Sequence, residues 1–236
     1  MRVELQAGYV LHTRPYLNNS LLVEFLSREQ GRISLVAKGA KSRKTRGGSP
    51  AALLQPFSRL NCSWTGRREL KTLTLCETDT PALRLSGTRL FSGLYVNELL
   101  VRLLHHEDPH QQLFDDYECV LQQLEGDLEE ELILRRFEFC LLQGLGYGFD
   151  LDVDGLSGEP IQEDCSYHYH EGYGLVLADP AHSGRLPRYR GADLHALAQG
   201  DYQAAGRCAK QLMRQVLAGY LGDKPLMSRE LFRQPT

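Results

Sequence analysis

Apolar and polar residues alternate in short runs over the first 80 residues of the chain, and apolar residues then recur every three or four positions over most of the remainder. Alternation puts successive side chains on opposite faces of a strand, whereas the longer spacing lines them up on one stripe of a helix. The first region predicts five strands, at residues 4–12, 20–27, 32–38, 56–65 and 69–77, with Glu29-Gln30-Gly31 and Thr65-Gly66-Arg67 as hairpin turns. Between the third and fourth runs lies GAKSRKTRGGSP, which has no apolar period and ends in Gly, Gly and Pro, so it predicts a loop. Five strands with a long polar insertion between the third and fourth suit a small Greek-key barrel of the OB type, and an SH3-like barrel also accommodates them.

Beyond residue 82 the period predicts helices. Leu90, Phe91, Leu94, Tyr95, Leu99, Leu103 and Leu104 make the first apolar over much of its circumference, as in the middle of a bundle. Asp108-Pro109 is a start signal for the second, which carries Leu113, Phe114, Tyr117, Val120, Leu121 and Leu124. The third, at residues 129–145, sets Leu134, Phe137, Leu141 and Leu145 on one stripe. Residues 150–190 lose the period and are rich in Gly, Tyr and His, which predicts an irregular insertion with one short hairpin, 167–169 against 175–177. A last helix, at residues 203–221, carries Cys208, Leu212, Val216, Leu217 and Tyr220 and is stopped by Gly222 and Pro225. The expected architecture is α+β and multidomain, with an OB-type barrel at 1–82 and a helical domain at 83–236 that includes the insertion.

With 236 residues, 42% hydrophobic and 24% charged, the chain can bury a core, and disordered, collagenous and membrane-spanning classes fit poorly. The first sixteen residues lack the apolar run of a secretory signal, so a cytoplasmic location is expected. Six cysteines form no C-x-x-C pair and read as buried or idle thiols. The net charge of -3 becomes informative once divided. Residues 1–85 carry 14 Lys and Arg against 6 Asp and Glu, a balance of +8, while residues 86–205 carry 7 against 22, or -15, and residues 206–236 carry 6 against 2, or +4. A basic barrel beside an acidic helical region points to a polyanion for the first and a solvated or protein-binding surface for the second.

The sharpest candidate chemistry is the loop, where Lys38, Lys41, Arg43, Lys44 and Arg46 place five cations in nine residues with no acid among them. Phosphate is the natural ligand, each neutralised phosphate of a single strand contributing roughly 0.7 to the slope of log affinity on log salt. Arg32, Arg59, Arg67, Arg68 and Lys71 lie on or between neighbouring strands, and barrel closure offers to gather them on the same face. Tyr9, Tyr16, Phe57 and Trp64 are candidate platforms for base stacking, in competition with simple core packing. Three other patterns carry little. Gly39-Ala40-Lys41-Ser42 lacks the adjacent Gly-Lys and the following helix of a phosphate loop. Asp150, Asp152, Asp154 and Gly155 open like a calcium loop, but Ile161 stands where its bidentate Glu belongs. Cys165, His168 and His170, with His182 further on, depart from common zinc spacings. Glu129, Glu130 and Glu131 open a helix, where they favour its dipole, and no catalytic pair or triad is assembled. A binding protein with no enzymatic activity, no metal and no cofactor is expected; an RNA-binding OB accessory and an enzyme using the His-rich insertion as a metal site stay open.

Several short segments, in order and spacing, resemble the RecO family of bacterial recombination mediators. They are Leu35–Ala40 (LVAKGA), Leu54–Phe57 (LQPF), Lys71–Leu73, Gly93–Leu100 (GLYVNELL), Leu134–Glu138 (LRRFE), Leu145–Tyr147, Ser157–Pro160 (SGEP) and Lys224–Leu231 (KPLMSREL). The resemblance implies an amino-terminal OB barrel and a helical domain, binding of single- and double-stranded DNA, annealing of complementary strands, and action with RecR and the single-stranded DNA-binding protein SSB so that RecA loads on coated DNA during gap repair. It implies no small-molecule substrate and no membrane. Some relatives carry a zinc knuckle of two C-x-x-C pairs in the insertion; the first pair falls here at Asp154 and Ser157, so no structural zinc is expected. The family's SSB contact, an acidic apolar tail on the helical domain, calls for a greasy groove bordered by a cation. At 100° per residue Arg135 lies beside the Leu134, Phe137, Leu141 stripe and Arg136 nearly opposite; Arg102 is a second candidate, and pairing with Glu138 or Glu98 is the competing use of both.

Overall fold

The computed structural model describes residues 2–41, 50–78, 80, 83–179 and 186–232. They form two compact units, residues 1–127 with 226–236, and residues 128–225.

In the first unit β1 (Arg2–Tyr16), β2 (Ser20–Ser27), β3 (Gly31–Ala37), β4 (Arg59–Thr65) and β5 (Leu70–Glu77) close a barrel in the order β1-β2-β3-β5-β4. Every pairing is antiparallel except β3 with β5, where Ser34 lies opposite Leu70 and Val36 opposite Thr72. That closure, with a long connection between β3 and β4 that contains the short helix α1 (Pro50–Leu53), gives the OB arrangement. β1 is long because it serves two partners, and Gly8 is the hinge, paired with Ser27 of β2 and Leu60 of β4. A Cβ there would lie 2.3 Å from the Leu26 carbonyl oxygen and 2.5 Å from the Phe25 ring, so only glycine lets the strands close. Alternation points Val10, Leu21, Val23, Phe25, Ile33, Leu35, Leu60 and Trp64 inward to the core. β4 starts at Arg59, three residues later than the apolar pattern suggests, because Phe57 adopts a left-handed conformation (φ 69°) that breaks the extended run.

The compact unit extends well past the barrel because two helices pack on its outside. α2 (Gly87–Leu103) lies against β1 and α3 (Gln111–Glu125). A chain of buried hydrogen bonds joins them: Tyr117 Oη donates to Asn97 Oδ1 at 2.7 Å, and Asn97 Nδ2 donates to the Leu11 carbonyl at 2.7 Å. Burial pushes the Tyr117 phenol well above its ordinary pKa, so it stays a neutral donor. The chain returns to this unit at α7 (Ser228–Leu231), where the Glu98 carboxylate accepts the backbone N–H groups of Met227 at 2.9 Å and Ser228 at 2.8 Å. Glu98 is therefore occupied in docking the KPLMSREL segment.

The second unit holds α4 (Glu130–Gly144), a three-stranded sheet in the order β7-β6-β8, α5 (Gly191–Ala198) and α6 (Gly206–Leu221). The expected hairpin is present as β6 (Ser166–His170) and β7 (Gly174–Leu177), with Tyr167 opposite Leu177 and Tyr169 opposite Leu175. The insertion is more ordered than its composition suggests, since β8 (Tyr189–Arg190) adds to β6 and leads into α5. The stripe Leu134, Phe137 and Leu141 is buried, while Leu145 falls at the helix end and is half-buried. Asp154 acts as a local cross-link: Oδ1 accepts the N–H groups of Leu156 and Ser157, both at 2.9 Å, and Oδ2 accepts that of Leu177 at 2.7 Å. Burial alone would raise its pKa, but these amide bonds outweigh it and hold the carboxyl below the ordinary aspartate value. Among the described residues no helix is long and apolar enough to cross a membrane.

Candidate nucleic-acid interface

The register across β1, β2 and β3 sorts the outer face of the barrel into rows. Leu26 lies opposite Tyr9 and Arg32, Glu24 opposite His12 and Ser34, and Leu22 opposite Arg14 and Val36. Ser20 lies opposite Tyr16, and alternation from the Leu21–Ala37 pair puts Lys38 on the same outward row. The face of β2 and β3 is the usual ligand face of an OB barrel. Here much of it is covered from within the unit, for Tyr9, Leu22, Leu26, Ser34 and Val36 are all buried.

Two of the expected phosphate contacts are engaged within the unit, Arg32 on that covered face and Lys71 on the inward side of β5, where it pairs with Leu35. Arg32 donates through Nη1 to Glu24 Oε2 at 2.8 Å and through Nε to the Leu104 carbonyl at 3.1 Å. Lys71, only 3% exposed, donates through Nζ to Glu107 Oε1 at 2.7 Å. A buried cation is tolerable only with such a partner, and each is already neutralised by one. The segment carrying Leu104 and Glu107 is held close: Glu107 N–H donates to the Arg32 carbonyl at 3.0 Å, and a Cβ on Gly31 (φ 68°) would sit 2.1 Å from the Asp108 carbonyl oxygen. A phosphate would have to displace these partners before either Arg32 or Lys71 could meet it. Arg59 is half-buried and lies 3.4 Å from Glu118.

The remaining cations stand at opposite ends of the barrel, not on one face. Lys38 and Lys41 follow the end of β3, are exposed, and have no side-chain ion pair among the described residues. Lys41 is tied to the β1–β2 turn by its N–H, which donates to the Asn19 carbonyl at 3.2 Å. Arg14, exposed on the adjoining row, is a cation that sequence reasoning passed over; only the strand register brings it beside Lys38. Arg67 and Arg68, also exposed, precede Leu70 and so lie level with the start of β3, roughly 20 Å away at about 3.3 Å per strand residue. Arg43, Lys44 and Arg46 fall outside the described residues.

Three of the four expected stacking platforms are core residues. Trp64 is 1% exposed and meets Phe25 edge-on inside the barrel, with ring centroids 6.2 Å apart. Tyr9 packs on Phe114 and Tyr117 and donates its hydroxyl to Glu118 at 2.7 Å. Phe57 places its ring 3.0 Å from where a Cβ of Gly93 would stand, wedging α2 onto the barrel. None of these three offers a face to a base, because each ring fills the space between strands or between strand and helix. Tyr16 alone of the four is not buried.

A basic OB barrel with a helical extension is one observation, and the match of the chain to family models is the other. Residues 1–81 match the model for the recombination protein O N-terminal region, and residues 84–230 match that for the C-terminal region. The chain belongs to the RecO family. It is 47% identical to the DNA repair protein RecO of Cellvibrio japonicus, with 98% of each chain covered. It is 45% identical to that of Sodalis glossinidius over 97% of this chain and 87% of the relative, and 44% identical to that of Haemophilus influenzae over 99% and 98%. RecO proteins are DNA repair proteins by name, and the closed five-stranded barrel followed by helices is the architecture found here.

The second unit of this RecO chain carries a cavity of about 620 Å³ whose lining includes Leu132, Arg135, Tyr202, Arg207, Cys208 and Lys210. Arg135 is 8% exposed; Nη2 lies 2.7 Å from Glu138 Oε1, while its buried Nε has no hydrogen-bond partner. At the rim Lys210 pairs with Glu131, and this hydrogen bond holds the Glu131 carboxyl below its ordinary pKa. Arg136 points away and lies over the Tyr202 ring at 5.8 Å. Arg102 belongs to the last turn of α2 in the first unit and is half-buried. Of the candidate metal residues, His168 is buried with Nδ1 2.7 Å from the Pro187 carbonyl oxygen, and His182 lies outside the described residues. Among the described residues no three His, Cys, Asp or Glu side chains converge as a metal site.

Proposed function

We propose that this RecO-family chain binds single- and double-stranded DNA at the end of its barrel where β3 finishes and anneals complementary strands. With RecR, it helps RecA load onto single strands coated by SSB, and it does so without catalysing a reaction. It works in the cytoplasm and associates with the nucleoid during repair. The observation that supports this most strongly is the cluster of exposed Arg14, Lys38 and Lys41, without ion-pair partners among the described residues, on the barrel of a DNA repair family. From Lys41 the sequence runs straight on to Arg43, Lys44 and Arg46, and no Asp or Glu occurs between residues 30 and 68. Cations held this way screen the phosphates of two strands brought together, and the released counterions supply affinity without reading sequence. Arg67 and Arg68 extend the same charge at the other end of the barrel.

Annealing of complementary oligonucleotides, with and without SSB and over a series of salt concentrations, tests the reading. Faster annealing at low salt that fades as salt rises is expected; no acceleration, or an affinity indifferent to salt, refutes it.

The acidic tail of SSB docks, on this proposal, in the Arg135 cavity. A buried guanidinium with an unused Nε is suited to a carboxylate, and Leu132 and Tyr202 offer apolar walls. Arg135→Ala should weaken binding of an SSB tail peptide by about tenfold or more while leaving single-strand affinity within about twofold. Since that change removes the Arg135 partner of the buried Glu138, the paired variant Arg135→Met/Glu138→Leu separates loss of a contact from loss of the fold. Unaltered peptide affinity in both variants moves the tail site elsewhere.

A further inference from the structure

At the same end of the barrel the β1–β2 hairpin turns through Leu17, Asn18 and Asn19, between the paired residues Tyr16 and Ser20. Two features set Leu17 apart from an ordinary turn residue. It is 77% exposed, more than any other large apolar residue described, and so gains nothing from burial. It also holds the left-handed conformation, φ 50°, which costs a leucine on the order of 1 kcal/mol and which the asparagines that follow would tolerate better. The contrast is Leu5, also left-handed at φ 46°, where the register of β1 against β4 shifts between Val3 and Gln6 and the strain serves a bulge. At Leu17 the left-handed residue serves the turn itself, since the hairpin pairs without interruption from His12–Glu24 to Tyr16–Ser20, and a glycine or asparagine would serve it at less cost.

The surroundings indicate what the side chain meets. Directly behind the tip lie the outward rows Tyr16–Ser20–Lys38 and Arg14–Leu22–Val36, and Lys41 is fastened to Asn19. The chain has no Asp or Glu from residue 5 to 23. An apolar tip ringed by exposed cations complements a strand of phosphates carrying apolar base faces. A protein patch would lack the repeating negative charge.

We propose that Leu17 is a wedge that inserts between neighbouring bases of bound single-stranded DNA and breaks their stacking, while Arg14, Lys38 and Lys41 hold the flanking phosphates and Tyr16 supports the opened step. This rests on the DNA-binding reading and adds to it the mode of contact. An unstacked step presents its pairing edges to a second strand, which is what annealing requires; a wedge therefore acts on the rate of annealing as well as on affinity.

The test uses the full chain and a single-stranded oligonucleotide carrying 2-aminopurine, whose fluorescence rises when it unstacks. Wild type is expected to raise the signal on binding. Leu17→Asn, which keeps the left-handed turn, should abolish most of that rise and lower affinity by about fivefold. Its slope of log affinity on log salt should not change, because no charge is removed. Leu17→Met, still apolar, should retain the signal. Equal fluorescence and equal affinity in wild type and Leu17→Asn overturn the wedge while leaving DNA binding intact. A wild type without salt-dependent affinity overturns both.

Discussion

Replacing Lys41, Arg43, Lys44 and Arg46 together by alanine is expected to flatten the salt dependence of single-strand binding by as much as about 2.8 in log–log slope, if each cation neutralises one phosphate at roughly 0.7 apiece. Between 50 and 200 mM salt such a change corresponds to a difference of roughly fiftyfold in how much affinity is lost. Wild type should weaken steeply across that range and the variant much less. Folding should be nearly indifferent, since Lys41 is exposed and none of the four replaced residues is apolar. Oligonucleotide titrations at four salt concentrations, with a thermal melt of each protein, decide the matter. An unchanged slope would place the DNA path elsewhere, with Arg67 and Arg68 at the other end of the barrel as the next cations to remove. The same titration on Lys71→Met should give the wild-type slope, because Lys71 is already spent on Glu107.

The second large effect concerns that ion pair. Lys71 is almost wholly buried, while Glu107 keeps 44% of its side chain exposed. Removing the acid leaves a buried ammonium with one remaining partner among the described residues, the Arg68 carbonyl at 3.3 Å. Breaking a fully buried pair costs ~3–5 kcal/mol. Water can reach this one from the Glu107 side, so Glu107→Ala should cost about 2 kcal/mol, seen as a fall of ~4–8 °C in the melting midpoint for a chain of this size. Lys71→Met removes the charge that needs compensation, and should change stability by less than about 1 kcal/mol. In the double variant the loss caused by Glu107→Ala should largely disappear. Additive effects would mean that the two side chains do not sense one another, and Lys71 would again be available to a ligand.

What could be read in advance follows from how local each signal is. Strand alternation and helical period are properties of neighbouring residues, so the five strands, the four long helices and the Tyr167–Leu177 hairpin are legible. Boundaries slipped where a single backbone conformation decided them, as at Phe57. β8, α5 and α7 were missed because they are short and owe their form to partners far away; α7 starts where Glu98, 130 residues earlier than Ser228, supplies the acceptors for its first N–H groups. The site divided in the same way. A run of cations is visible as a run. Whether an individual cation is free depends on acids distant in the chain, such as Glu107 for Lys71, and no spacing rule links the two.

By itself the sequence determined the order of elements, the basic barrel and acidic helices, the family, and the loop from Lys38 to Arg46 as the place of greatest charge. Those are written in residue type and local spacing. Only the tertiary structure decided which cations remain unpaired, that Tyr9, Phe57 and Trp64 are filling rather than platforms, and that Arg14, Tyr16 and Leu17 join Lys38 and Lys41 at one rim. The reason is physical: exposure, neutralisation and proximity across strands arise from contacts between residues far apart in the chain, and these exist only once the barrel has closed and its helices have covered one face.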